Sequence, residues 1–222
     1  MRPDRWRDDP WWMAGLVTVG VLLRVTHRVR FVGVENIPSE GPAILASNHV
    51  SPLDPIATAL AAAKRGRTIR YLTAAEAFEI PVIGWGLRQF RQIPLHRGAR
   101  DRAALADVLS VIRAGALAGI FPEGGLGDGP ELRPARRGMA RIALATGAPV
   151  VPAGVWGFQV RWPRGGIRWR LPVRPTGMTV IGAPVTPEGD ADSADDVAAL
   201  TDTVMHAVAR LVDRAREFAG NR

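Results

Sequence analysis

Short apolar runs alternate with amphipathic patterns through most of this chain, and that alternation restricts it to α/β layering. Pro42–Ser47 reads as a buried strand and is followed by a helix from about Asp54 to Lys64. Thr68–Leu72 and Phe90–Leu95 supply two further short strands, and Asp101–Ala114 has helical periodicity through Leu105, Val108, Leu109 and Ile112. Ala116–Phe121 is a strand, Arg136–Thr146 a helix and Pro149–Val155 a strand. Arg168–Val173 and Met178–Ile181 add edge strands. A long helix over Ser193–Phe218, with Val197, Leu200, Val204, Val208, Leu211 and Val212 on one face, closes the chain. The expected architecture is a mixed, mostly parallel sheet flanked by helices. At 222 residues, without internal repeats, it forms one catalytic-sized unit, assigned to residues 31–222.

Residues 1–30 are expected to do something else. Trp11–Leu23 is an apolar run of 13 residues, shorter than the roughly 20 needed to cross a hydrocarbon core. Arg2, Arg5 and Arg7 suit the start of a signal peptide, but Arg24, His27, Arg28 and Arg30 stand where a small-residue cleavage site belongs. The run reads as a helix lying in one leaflet, with Trp6, Trp11 and Trp12 at headgroup level and the later basic residues against anionic lipid. The alternative is an amphipathic helix capping the core. The first reading puts the protein on the cell membrane as a peripheral or monotopic protein, on the cytoplasmic face.

Charge narrows the partner. Lys+Arg outnumber Asp+Glu by 29 to 21, and all but Lys64 of the basic residues are arginine, whose guanidinium forks match phosphate oxygens. The excess is local: residues 85–175 carry +10, residues 1–84 only +2, and residues 176–222 are net −4. An anionic partner is therefore sought in the middle of the chain. The absence of cysteine excludes disulfides, thiolate metal sites and a Cys nucleophile.

Four blocks carry the chemistry. Asn48-His49-Val50-Ser51-Pro52-Leu53-Asp54 follows the first strand, and the five-residue spacing puts the Asp54 carboxylate within reach of the His49 imidazole. The same residues also make sense as a helix start, with Asp54 as N-cap, Pro55 at the first helical position and Ser51 completing a capping box. Phe121-Pro122-Glu123-Gly124-Gly125-Leu126-Gly127 ends another strand, where a glycine turn exposes backbone amides beside a carboxylate. Ile83-Gly84-Trp85 through Phe90, Ile93, Pro94 and Arg97 forms the third block, and Arg136-Arg137-Gly138 with Val150-Val151-Pro152 the fourth. Walker, dinucleotide and G-x-S-x-G signatures are all missing.

In this order and spacing the blocks resemble the glycerolipid acyltransferase family, which contains the bacterial 1-acyl-sn-glycerol-3-phosphate acyltransferases. Asn48, His49 and Asp54 match its Asn-His-x-x-x-x-Asp motif, Arg97 its second block, Phe121–Gly124 its Phe-Pro-Glu-Gly, and Val151-Pro152 its Val-Pro segment. The likeness runs from about Gly33 to Val185. One departure stands out: the family continues its third motif with Thr-Arg-Ser, where this chain has Gly125-Leu126-Gly127.

The resemblance implies transfer of a fatty acyl group from an acyl-CoA or acyl carrier protein thioester to a lysophospholipid hydroxyl. The acceptor is 1-acyl-sn-glycerol-3-phosphate or another polar-lipid alcohol. His49, oriented by Asp54, would act as general base, with Asn48, Arg97, Glu123, Gly124 and Arg137 binding substrate. Amides near the Asp54 helix or in the glycine turn would hold the oxyanion, and neither a metal nor a cofactor beyond the thioester co-substrate is implied. Two rivals remain. One is a thioester hydrolase using the same pair. The other is a basic nucleic-acid-binding module presenting Arg161, Trp162, Arg164, Arg168, Trp169 and Arg170.

Overall fold

The computed structural model describes residues 5–95, 102–129, 131–168 and 174–220. Its strands are β1 (Arg28–Val32), β2 (Ala43–Ser47), β3 (Arg70–Ala74), β4 (Ile93–Leu95), β5 (Leu117–Ile120), β6 (Val150–Trp156) and β7 (Thr176–Ile181). Its helices are α1 (Pro10–Thr26), α2 (Asp54–Lys64), α3 (Pro81–Gln89), α4 (Arg102–Arg113), α5 (Gly138–Thr146) and α6 (Ala194–Phe218). The strands form one sheet in the order β1-β7-β6-β2-β5-β3-β4, parallel throughout except where β7 runs antiparallel to β6. This is the expected mixed, mostly parallel sheet flanked by helices.

Strand β2 shows why its sequence is apolar without alternation. Ile44 and Ala46 join a core containing buried residues of α4, α5 and α6, while Ala43 and Leu45 join a second core with α1 and α2 on the opposite face. A parallel strand covered on both sides needs apolar residues at every position. Helix α6 lays the six expected residues, Val197 through Val212, against the sheet. At Gly154 of β6 the packing leaves no room for a side chain, since a Cβ would collide with the Leu211 carbonyl.

The sheet differs from the expectation at its margins. Met178–Ile181 belongs to β7 but is not an edge, because β1 pairs with β7 outside it, from Arg28↔Thr176 to Val32↔Val180. Strand β1 went unread because Arg28 and Arg30 alternate outward while Val29 and Phe31 turn inward. Arg28 and Arg30 are thus edge-strand residues rather than part of the N-terminal helix, which ends at Thr26. Helix α3 was also unexpected. Its Gly84 packs against the Phe78 carbonyl, and Phe90 caps the helix instead of starting β4. The strand expected over Arg168–Val173 falls on residues outside those described, apart from Arg168, which lies in no strand.

Helix α1 is capped by Asp9, whose carboxylate accepts from the Trp11 and Trp12 amides at 3.0 and 3.2 Å. At 17 residues it extends about 26 Å, and no described helix is long and apolar enough to cross a membrane.

At the junction of α1 and β1, His27 is fully buried. Its Nδ1 lies 2.9 Å from Thr26 Oγ1, and its ring packs on Phe158. Burial, reinforced by the Arg161 charge, pulls its pKa from 6.5 to about 4. The unfolded chain therefore takes up a proton that the fold refuses. The stability held above pH 6.5 is lost as pH falls toward 4, by about 3 kcal/mol. Urea unfolding across that range is expected to show this loss, and His27→Leu to flatten it.

Candidate active site

Strands β2 and β5 lie side by side and parallel, with Ala46 opposite Ile120, so their following loops leave the same edge of the sheet. Ligand sites in open α/β sheets form outside the carboxyl ends of the strands. The chain continues from β2 into Asn48-His49 and from β5 into Phe121-Pro122-Glu123, bringing two of the four sequence blocks into contact.

Asp54 is the first residue of α2, and its carboxylate turns back over the loop. The Oδ2 atom accepts from the amides of Val50 and Ser51, both at 2.7 Å, and lies 3.2 Å from His49 Nδ1. Two donors already point at this oxygen, so the imidazole supplies its Nδ1 proton as well and keeps its lone pair on Nε2. Asp54 is completely buried, which pushes its carboxyl above the ordinary carboxylate range, an effect the His49 contact opposes. One half of the expected Ser51–Asp54 capping box forms, the Asp54 carboxylate accepting from the Ser51 amide, while the Asp54 amide donates to the Ser51 carbonyl rather than to its hydroxyl. The Ser51 hydroxyl instead donates to the Trp162 carbonyl at 2.7 Å and accepts from the Leu53 amide.

His49 is further fixed from its other face. Its ring stacks on Phe121 at 4.1 Å between centroids and 17° between planes, and Phe121 in turn stacks on Tyr71. Burial raises the Tyr71 phenol pKa, and its hydroxyl donates to the Pro55 carbonyl while pairing with Thr58 Oγ1. Neither aromatic was picked out as a site residue, though Phe121 opens the Phe-Pro-Glu-Gly block.

Two residues expected to contact substrate, Asn48 and Glu123, are engaged within the fold. Asn48 is buried and pairs reciprocally with the backbone of Val155, donating to its carbonyl at 2.9 Å and accepting from its amide at 2.8 Å. Its carboxamide thus locks the β2 loop onto β6, the strand that carries the Val151-Pro152 block. Glu123 is 3% exposed, and its two oxygens accept from the amides of His49 and Arg133, each at 2.9 Å. It ties the loop after β2 to the arginine-rich segment leading into α5.

The amides expected to hold an oxyanion are partly spent. Those of Val50 and Ser51 serve Asp54, that of Gly124 donates to the Phe121 carbonyl, and that of Gly127 to the His49 carbonyl at 2.6 Å. The amides of Gly125 and Leu126 donate to no group among the described residues.

His49 opens on a cleft of about 810 Å³. Its walls are mainly apolar, with Trp12 and Leu16 of α1, Ile56 and Leu60 of α2, Phe90 after α3 and Met139 of α5 among them. The charged residues among its described lining, apart from His49, are Arg136 and Arg141. Gly124 lines it too, while Arg137 lines a separate groove of about 490 Å³ against Asp202 and His206 of α6. The adjacent arginines thus serve different surfaces, and no sequence signal ahead of the sheet geometry distinguishes them. Arg97, Trp169 and Arg170 lie outside the described residues.

Comparison with known proteins identifies the family. The family profile described as Acyltransferase matches residues 28–156. A chloroplastic 1-acyl-sn-glycerol-3-phosphate acyltransferase from Brassica napus is 36% identical over 63% of this chain and 40% of its own. The protein of that activity from Borreliella burgdorferi is 28% identical over 65% of this chain and 53% of its own. The chain therefore spans about half the length of the curated relatives it matches. The crystal structure of the 1-acyl-sn-glycerophosphate (LPA) acyltransferase PlsC from Thermotoga maritima superposes with a TM-score of 0.68 at 28% identity, over 85% of this chain and 72% of that one.

The geometry makes Glu123 a stability residue. Glu123→Gln replaces one acceptor by an NH₂ group facing a backbone N–H, and is expected to cost about 1–3 kcal/mol in urea denaturation.

Proposed function

The chain belongs to the acyltransferase family, and from that premise we propose that it transfers a fatty acyl group from an acyl-CoA or acyl carrier protein thioester to a lysophospholipid hydroxyl. The acceptor proposed is 1-acyl-sn-glycerol-3-phosphate, which would give phosphatidic acid. The observation that carries this reading is the His49–Asp54 pair at the edge of an apolar cleft large enough for an alkyl chain.

In this mechanism His49 Nε2 removes the proton from the acceptor hydroxyl as its oxygen attacks the thioester carbonyl. Asp54 stabilises the imidazolium that forms, being fixed beforehand by two amides and unable to rotate away. The tetrahedral intermediate then collapses, breaking the C–S bond, and the imidazolium returns its proton to the departing thiolate. The acyl group goes directly to the acceptor without an acyl-enzyme, consistent with a chain that lacks cysteine and with a Ser51 hydroxyl committed to the Trp162 carbonyl. Stacking on Phe121 restricts the ring to the tilt that Asp54 sets. The amides of Gly125 and Leu126 are the proposed oxyanion donors.

We also propose that the protein works at the cytoplasmic face of the cell membrane, on its acceptor's own surface. Helix α1 exposes Trp11, Met13, Val17, Val21, Leu22 and Val25. Ile80, Val82, Ile83 and Trp85 around α3 are exposed as well, and an edge-on Trp11–Trp85 contact at 5.3 Å joins the two patches. Contiguous exposed apolar surface of this kind marks a lipid or protein contact.

His49→Ala is expected to lower acyl transfer by about 10²–10⁴-fold while leaving the thermal unfolding midpoint in place. The assay is mass spectrometry of products from labelled acyl thioester and a panel of lysolipids. Near-normal turnover overturns the mechanism, and label appearing as free acid rather than lipid favours the hydrolase. Val17→Glu combined with Val82→Glu is expected to release the protein from anionic liposomes in a sedimentation assay while it stays folded. Undiminished pelleting would place the contact elsewhere.

A further inference from the structure

Two features of the cleft are not explained by holding an alkyl chain. Its described lining carries two guanidiniums, Arg136 and Arg141, and no carboxylate. Neither arginine makes an ion pair with a described acidic residue, although the exposed Arg164 nearby is paired with Asp128 at 2.8 Å. An apolar cleft that concentrates unpaired positive charge beside its base is built for a ligand with an anionic end.

The glycine turn explains how one of these arginines is delivered. Gly124 has a φ of +69°, and its Cα faces the Arg136 side chain: a Cβ there would stand 2.7 Å from Arg136 Cδ and 3.1 Å from Cζ. The Arg136 side chain therefore passes close to the Gly124 backbone, where any larger residue would displace it. The Arg136 amide anchors the other end of the side chain by donating to the Pro122 carbonyl at 2.8 Å. Gly124 is also next to Glu123, whose carboxylate holds the His49 amide. The base and the guanidinium are thus both tied to one short turn.

That turn is where this chain departs from the acyltransferases it resembles, with Gly125-Leu126 replacing Thr-Arg. We infer that Arg136 binds the phosphate of the acceptor, so that it sets the preference for a phosphate-bearing lysolipid over a neutral one. The inference rests on the proposed acyl transfer. Arg141, on α5, adds charge to the same end of the cleft, whereas Arg137 faces α6 and takes no part. Binding is by charge-assisted hydrogen bonds, which a guanidinium forms bidentately with phosphate oxygens and an ammonium only as a point charge.

The test compares two acceptors that share an acyl chain, 1-acyl-sn-glycerol-3-phosphate and the neutral monoacylglycerol, across the wild-type protein, Arg136→Gln and Arg136→Lys. The wild type is expected to favour the phosphate-bearing acceptor. Arg136→Gln is expected to lose about 10- to 100-fold in kcat/KM for it, mostly through KM, while its low rate with monoacylglycerol stays unchanged. Arg136→Lys should fall between. Equal losses on both acceptors would assign Arg136 to the architecture of the turn and overturn the inference, as would no loss on either. If the wild type acylates neither acceptor, the acyl-transfer reading itself fails and the inference with it. A wild type that acylates both, with a preference Arg136→Gln does not alter, overturns the inference alone.

Discussion

The hydrogen bond that the backbone amide of His49 donates to the buried Glu123 carboxylate joins the two strand ends on which the site depends. Without it the loops after β2 and β5 would share an edge of the sheet but no fixed separation. With it, the second oxygen of Glu123 recruits the Arg133 amide, so that the segment entering α5 is positioned by the same side chain. Gly127 returns a bond to the His49 carbonyl, and both backbone polar groups of His49 are then satisfied from the turn after β5. A buried carboxylate is costly to desolvate and is retained where several donors converge on it. Here those donors are backbone amides, which have no rotamer to lose.

The same reasoning separates the two carboxylates. Asp54 receives two amides and the imidazole on one oxygen, and burial raises its pKa. Its other oxygen, Oδ1, is buried without a partner among the described residues. Glu123, with one amide on each oxygen, has no titratable neighbour in hydrogen-bond contact and acts as a joint. Two acidic residues that a motif presents as equals are thus divided by what their oxygens touch.

The layers were legible in the sequence because parallel strands buried on both faces leave unbroken apolar runs, as over Ala43–Ser47 and Val150–Val155. The edge strand was not, since Arg28 and Arg30 alternate with partly buried residues and imitate a basic segment at a lipid surface. His49 and Asp54 were legible as a pair because their contact is local, across five residues. The partners of Asn48 and Glu123 were not: Asn48 meets Val155 across 107 residues, and Glu123 meets His49 across 74. A polar side chain in a motif reads equally well as a ligand contact or a loop tie until its partners are known. Arg136 and Arg137 pose the same difficulty at closer range, because neighbouring residues at a helix start diverge to surfaces that only the sheet defines.

Helix α1 brings these layers to the surface of the molecule. Trp12 and Leu16 face the cleft while Val17 and Val21 are exposed, so the helix is apolar on both sides. A helix of that kind leaves one apolar face exposed when the other is docked. Gly15 and Gly20 thin it further, letting the Phe90 ring and Leu60 of α2 approach its backbone. An alkyl chain lying in the cleft is then separated from whatever covers the outer face by one helix, about 10 Å across. Covering that outer face and closing the cleft are consequences of the same docking of α1. A change that lifts the helix from the sheet therefore opens the cleft and disperses the exposed stripe together.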